Sequence, residues 1–114
     1  MVGHIATPNI AGDLAPATMS YEIINDILRL QLGFDGVVIT DALEMGAITN
    51  EYNSGEAAIK VIKAGCDILL EPENFQEAFE AVVDAVENGI ISEERINESV
   101  YRILLLKEKY GLLN

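Results

Sequence analysis

Apolar and polar positions along the chain follow two rhythms that alternate. Val2 to Ile5 is a short strand-like piece. From Ser20 a helical period sets in, with Ile23, Ile24, Ile27 and Leu28 on one face, Ser20 as N-cap and Gly33 as stop. Gly36-Val37-Val38-Ile39-Thr40 is then a near-continuous apolar run, the pattern of a parallel strand buried on both faces. Ser54 is placed to cap the next helix, which turns Ala58, Val61 and Ile62 inward and ends at Gly65; Ile68-Leu69-Leu70 is a third buried strand. Asn74 and Glu77 have capping-box spacing ahead of a helix with Phe75, Phe79, Val82 and Val86 on one face, closed by Gly89. Ser92 caps a last helix, with Ile96, Val100, Ile103 and Leu104 inward, which stops at Gly111.

The order is β-α-β-α-β-α-α, with strand ends near Ile5, Thr40 and Glu71. The ends lie about 30–35 residues apart, the length of a βα unit with a right-handed crossover. Such units build parallel α/β sheets, open or closed into an eight-stranded barrel. Three strands cannot close a barrel, and they leave parallel edges unpaired. The first strand starts at the first residues, with no helix ahead of it to shield it. The pattern is therefore expected to be part of something larger. Its open edges and under-covered apolar sheet face are expected to favour self-association.

Composition narrows the function classes. The chain has 114 residues, half of them apolar, enough for one domain with a modest core. Nineteen acids against seven bases give a formal charge of −12, which repels phosphate backbones and argues against nucleic acid as a partner. The acids fall mostly on the polar faces of the predicted helices. The longest apolar runs, near 36–40, 68–70 and 103–106, are far short of the roughly 20 residues of a membrane span. No basic segment precedes an apolar one at the start, so no signal peptide is read in this chain; the parent compartment, cytoplasmic or secreted, stays open. The single cysteine, Cys66, excludes an intramolecular disulfide and reads as a small buried apolar residue between a helix and a strand. One histidine and no cysteine pair cannot assemble a structural zinc site, and neither a metal nor a cofactor is expected.

In parallel α/β architectures functional groups gather at the carboxyl ends of the strands. His4 lies in the first strand, Asp41 just after the second and Glu71 just after the third. Polar residues follow most strands because loops are exposed, so each has an ordinary explanation too. Asp41 stands out, since a carboxylate at the end of a rigid buried strand suits a nucleophile, a metal ligand or a phosphoacceptor. Its bland alternative is an N-cap for a short turn.

The run Gly33-Phe34-Asp35-Gly36-Val37-Val38-Ile39-Thr40-Asp41-Ala42-Leu43 resembles the signature around the catalytic nucleophile of family-three glycoside hydrolases. Met1-Val2-Gly3-His4-Ile5 resembles the preceding barrel strand, and Pro16-Ala17-Thr18-Met19-Ser20 the loop into the next helix. Glu56-Ala57-Ala58, Ala64-Gly65-Cys66-Asp67 and Gly89-Ile90-Ile91-Ser92-Glu93-Glu94-Arg95-Ile96, with Lys107, Tyr110 and Gly111-Leu112, resemble the segments that follow. The His-Ile pair and Ala42-Leu43-Glu44-Met45 are similar to the β-N-acetylhexosaminidase branch. The resemblance implies that residues 1–114 are the C-terminal fragment of the family's N-terminal, TIM-barrel domain. The fold is then α/β, a partial (β/α)8 barrel of about the last three βα units plus a C-terminal helix.

The resemblance further implies retaining hydrolysis of terminal β-linked N-acetylhexosamine residues, of the kind found in peptidoglycan or chitin, with no cofactor. Asp41 is then the attacking carboxylate, His4 a contact to the sugar or to its hydrogen-bonding shell, and Met45 a residue lining the sugar pocket. Asp13 and Glu71 are read as loop or cap residues. In this branch the acid/base histidine, its aspartate partner and the Lys-His and Arg residues that hold the sugar lie upstream and have no counterpart here. The 114 residues by themselves are therefore expected to be inactive. Two other classes stay open: a receiver-like phosphoacceptor module, although the first strand carries His4 in place of an acidic pair, and a non-enzymatic remnant of the hydrolase.

Overall fold

A computed structural model describes residues 1–113. Two parallel strands, β1 (Ile39–Ala42) and β2 (Ile68–Leu70), form its sheet. Along the other edge of β1, Val2 makes one parallel bridge to Thr40; its N–H donates to the Ile39 carbonyl and its carbonyl accepts from Asp41 N–H, both at 2.8 Å. The expected first strand is thus present as a single bridge. Its path leaves the sheet after that, because Ala6 bridges back antiparallel to Pro16 and Ala17 N–H donates to the Ile5 carbonyl. The spatial order still places β1 between the Val2 segment and β2, as two crossover units require.

Short helices α1 (Pro8–Ala11) and α2 (Gly46–Thr49) follow the Val2 segment and β1. The three longer α-helices are α3 (Ser54–Ala64), α4 (Phe75–Glu87) and α5 (Glu93–Lys109), and a 3₁₀ turn spans Ala17–Met19. The helix read from Ser20 is a π-helix over Glu22–Gln31, with Leu32 N–H reaching back five residues to the Ile27 carbonyl. A hydrophobic period read over ten residues does not separate that wider turn from an α-helix. Of its expected face, Ile24 is fully buried and Leu28 packs against the core cluster. Its polar residues Asn25 and Arg29 are used as well: Asn25 Nδ2 donates to the Ala64 carbonyl and Arg29 to the Gly36 and Gly65 carbonyls. Gly65 has φ of 115°, and a Cβ there would lie 2.7 Å from the Asn25 side chain, so this helix end admits only glycine.

Three sequence expectations about helices need correction. The cap of α3 is Asn53, whose side chain forms a reciprocal capping box with Glu56, while Ser54 is buried and accepts the Asn74 N–H at 2.9 Å. On α4, Val82 and Val86 pack inward, but Phe75 and Phe79 are exposed; the buried positions are the small residues Ala78 and Ala85. The reason is close approach of α3 and α4, where a Cβ on Gly55 would sit 2.8 Å from the Ala81 Cβ. On α5, Ile96 packs inward, Val100 and Leu104 are exposed, and the inner face carries Arg95, Ser99 and Arg102. Among the described residues no helix is long and apolar enough to cross a membrane.

Two clusters make the core. Ile24, Val38, Leu43, Ile48, Ala57, Val61, Ala64 and Cys66 fill the space between β1, the π-helix and α3. Ile62, Ala85 and Ile91 form a smaller one beside α4. Between them sits a buried ionic centre. Asp67, whose side chain is fully enclosed, accepts from Arg29 at 2.8 Å, Arg102 at 3.0 Å, Ser99 Oγ at 2.7 Å and Val38 N–H at 2.8 Å.

Candidate active site

Asp41 is the third residue of β1, inside the strand and not just after it as the sequence reading placed it. Its N–H belongs to the bridge to Val2. Its Oδ1 accepts the Ala42 N–H at 2.8 Å, and among the described residues Oδ2 has no partner. The side chain is half-buried at the carboxyl end of the central strand. That position is built by its neighbour. Thr40 is fully buried, and its hydroxyl, not a backbone carbonyl, accepts the Leu70 N–H at 3.0 Å. This substitution coincides with the register irregularity between Ile39 and Ala42. Pairing then resumes beyond the strand, from Leu43 N–H to the Leu70 carbonyl and from Glu44 N–H to the Glu71 carbonyl.

His4 stands at the same end of the sheet. Its Nε2 is 2.9 Å from the Ala42 carbonyl and its Nδ1 is 2.8 Å from the Thr18 hydroxyl. Met45 opens α2 and is exposed, four residues past Asp41. Glu71 follows β2 with φ of 44°, its carbonyl used by Glu44 N–H. Asp13 is an exposed turn residue whose Oδ1 accepts the Ala15 N–H at 3.0 Å. The structure thus brings His4, Asp41 and Glu71 to one rim through backbone and ring contacts.

A cleft of about 430 Å³ lies elsewhere, along Asp13, Met19, Tyr21, Tyr52, Lys60 and Lys63. Neither Asp41 nor His4 nor Met45 lines it. Concavity and strand-end chemistry therefore point to different places, and we take the strand end as the site. It presents a held carboxylate on a rigid element, whereas that cleft is flanked by exposed flexible lysines. Among the described residues no three His, Cys, Asp or Glu side chains are grouped to hold a metal ion.

Sequence reasoning missed Asp67 and its arginines. The signal was available, since Arg95, Ser99 and Arg102 form a polar stripe at i, i+4 and i+7 on α5. Arg95 also donates to the Ile62 and Cys66 carbonyls, and burial lowers its pKa from the usual arginine value while Asp67 opposes the shift. Cys66 is buried as expected, its Sγ 3.6 Å from the Thr18 carbonyl. Burial, followed by the neighbouring Asp67 carboxylate, pushes its thiol up to about 12.

The family model of the Glycosyl hydrolase family 3 N terminal domain matches residues 1–106. The chain belongs to this family. It is 36% identical to a Beta-N-acetylglucosaminidase/beta-glucosidase of Cellulomonas fimi, over 98% of its own length and 22% of the relative's. It is 37% identical to a Beta-hexosaminidase A of Pseudoalteromonas piscicida, over 96% of its own length and 21% of the relative's. The structure superposes with a TM-score of 0.87 on a glycoside hydrolase family 3 beta-N-acetylglucosaminidase from Paenibacillus sp. str. FPU-7, 45% identical, covering 92% of this chain and 20% of that one. This family-3 chain spans about a fifth of the length of each of these proteins.

Proposed function

We propose that this chain is the C-terminal part of a (β/α)8 catalytic barrel and supplies Asp41 as the attacking carboxylate in retaining hydrolysis of terminal β-linked N-acetylhexosamine. The observation that carries this reading is Asp41 at the carboxyl end of the central parallel strand, in a chain matched to family 3 over residues 1–106. There a carboxylate has one oxygen oriented by Ala42 N–H and the other, unpartnered among the described residues, free to attack. Attack on the anomeric carbon expels the leaving oxygen as a second group protonates it; water, activated by that group, then releases the sugar from Asp41. The exposed Met45 side chain, at the start of α2 beyond Asp41, provides an apolar wall for the sugar.

The 114 residues contain one histidine, and both its ring nitrogens are engaged within the chain. Acid–base assistance is worth roughly a hundredfold to ten-thousandfold, and no second histidine is present to supply it. The chain by itself therefore does not turn over, and chromogenic N-acetylglucosaminides give no product. Robust turnover by the pure chain, abolished by Asp41→Asn, overturns that part.

The nucleophile is tested by grafting these residues into the Paenibacillus relative in place of its matching segment. The graft is expected to hydrolyse the chromogenic substrate and to become labelled on Asp41 by a fluorinated N-acetylglucosaminide that traps the glycosyl-enzyme. Asp41→Asn is expected to abolish both. A label on another residue, or full activity in the Asp41→Asn graft, refutes the assignment.

A further inference from the structure

We infer that His4 is a positioning residue for Asp41, acting through Ala42, and does not itself bind the sugar. This rests on Asp41 being the reactive carboxylate, but its geometry is independent of any substrate.

A carbonyl oxygen only accepts hydrogen bonds, so the 2.9 Å contact to Ala42 requires that His4 Nε2 carry the proton. In the neutral ring Nδ1 is then an acceptor, and the Thr18 hydroxyl at 2.8 Å donates to it. Thr18 is fully buried, and its own carbonyl accepts from Cys66 Sγ, so the far end of this relay is anchored in the core. At the near end, Ala42 is clasped on both sides. Its carbonyl is held by the ring, and its N–H holds Asp41 Oδ1 at 2.8 Å. The two bonds flank one Cα within β1, so the ring fixes the residue whose N–H orients the carboxylate. Neither ring nitrogen is left for a sugar hydroxyl.

The test is solution NMR on the isotopically labelled chain. Ring nitrogen shifts are expected to show a single Nε2–H tautomer for His4, and three-bond couplings to the Asp41 carboxyl carbon a single side-chain rotamer. In His4→Phe the Asp41 couplings are expected to average, and Ala42 amide exchange to speed up by about tenfold, the weight of one lost hydrogen bond. Amides of α3 and β2 are expected to keep their protection, and His4→Gln, which restores a donor, to recover part of the Asp41 order. A merely structural histidine would move global protection and leave the rotamer alone. Should His4→Phe not fold, Thr18→Val removes only the hydroxyl and is expected to mix the tautomers and loosen Asp41. An Nδ1–H tautomer, or one unchanged Asp41 rotamer in a folded variant, overturns the inference. Either result leaves the covalent-trapping test of Asp41 untouched, so the two readings fail separately.

Discussion

Asp67 and Arg102, 35 positions apart, meet with Oδ1 3.0 Å from Nη1. Arg29 and Arg95 close on the same carboxylate from the π-helix and from α5, at 2.8 and 3.9 Å. One buried anion thereby ties the start of β2 to both the π-helix and α5. Removing one partner of a buried ionic centre leaves uncompensated charge, and Asp67→Ala strands three guanidiniums at once. We expect a loss of about 3–5 kcal/mol in urea unfolding, against a smaller loss for Arg102→Met, whose side chain is partly exposed.

Cys66 sets an alkaline limit. Its pKa in the folded chain is raised, from the ordinary 9.0 to about 12, by burial and then by Asp67. Between those values the unfolded thiol has lost its proton while the folded one keeps it, so the folded state binds more protons and stability falls as pH rises. The contribution is fully present below pH 9. Unfolding followed from pH 8 upward is expected to show this decline, and Cys66→Ala to flatten it. In the same terms, a thiol reagent at pH 8 is expected to label the chain only after denaturation.

Gly55 has no room for a methyl group. A Cβ would lie 2.8 Å from Ala81 Cβ, a backbone-anchored neighbour that cannot swing away. Gly55→Ala is expected to cost about 1–3 kcal/mol by forcing α3 and α4 apart, although alanine favours a helix. An unchanged melting temperature would contradict this packing.

We expect the apolar outer face of α4 to add to the self-association expected from the open sheet edges. Phe79, 58% exposed, joins Leu69, Pro72, Phe75, Ala78 and Val82 along one apolar cleft, and Val83, Val86 and Ile96 along the next. Light scattering is expected to show concentration-dependent association that Phe79→Asp suppresses with little change in unfolding free energy. A wild-type monomer at high concentration removes the proposal.

Local pattern alone was enough for much of this. Parallel βα order, the stops at Gly65 and Gly89, the caps at Asn74 and Ser92 and the place of Asp41 near a strand end all follow from neighbours within a few residues. The cap at Asn53 escaped because Ser54 is an equally good cap residue by type. What covers a helix face cannot be read from its period: Phe75, Phe79, Val100 and Leu104 have inward spacing yet remain exposed.

The sequence by itself determined the family, the alternation of strands and helices, and the carboxylate offered at Asp41, because those depend on short-range spacing. Tertiary structure alone decided that His4 turns both nitrogens inward, onto Thr18 and Ala42, and that Arg29, Arg95 and Arg102 converge on Asp67. Those contacts join residues 14 to 38 positions apart, where the crossover of the chain, and no local preference, sets which polar groups must satisfy one another once water is gone.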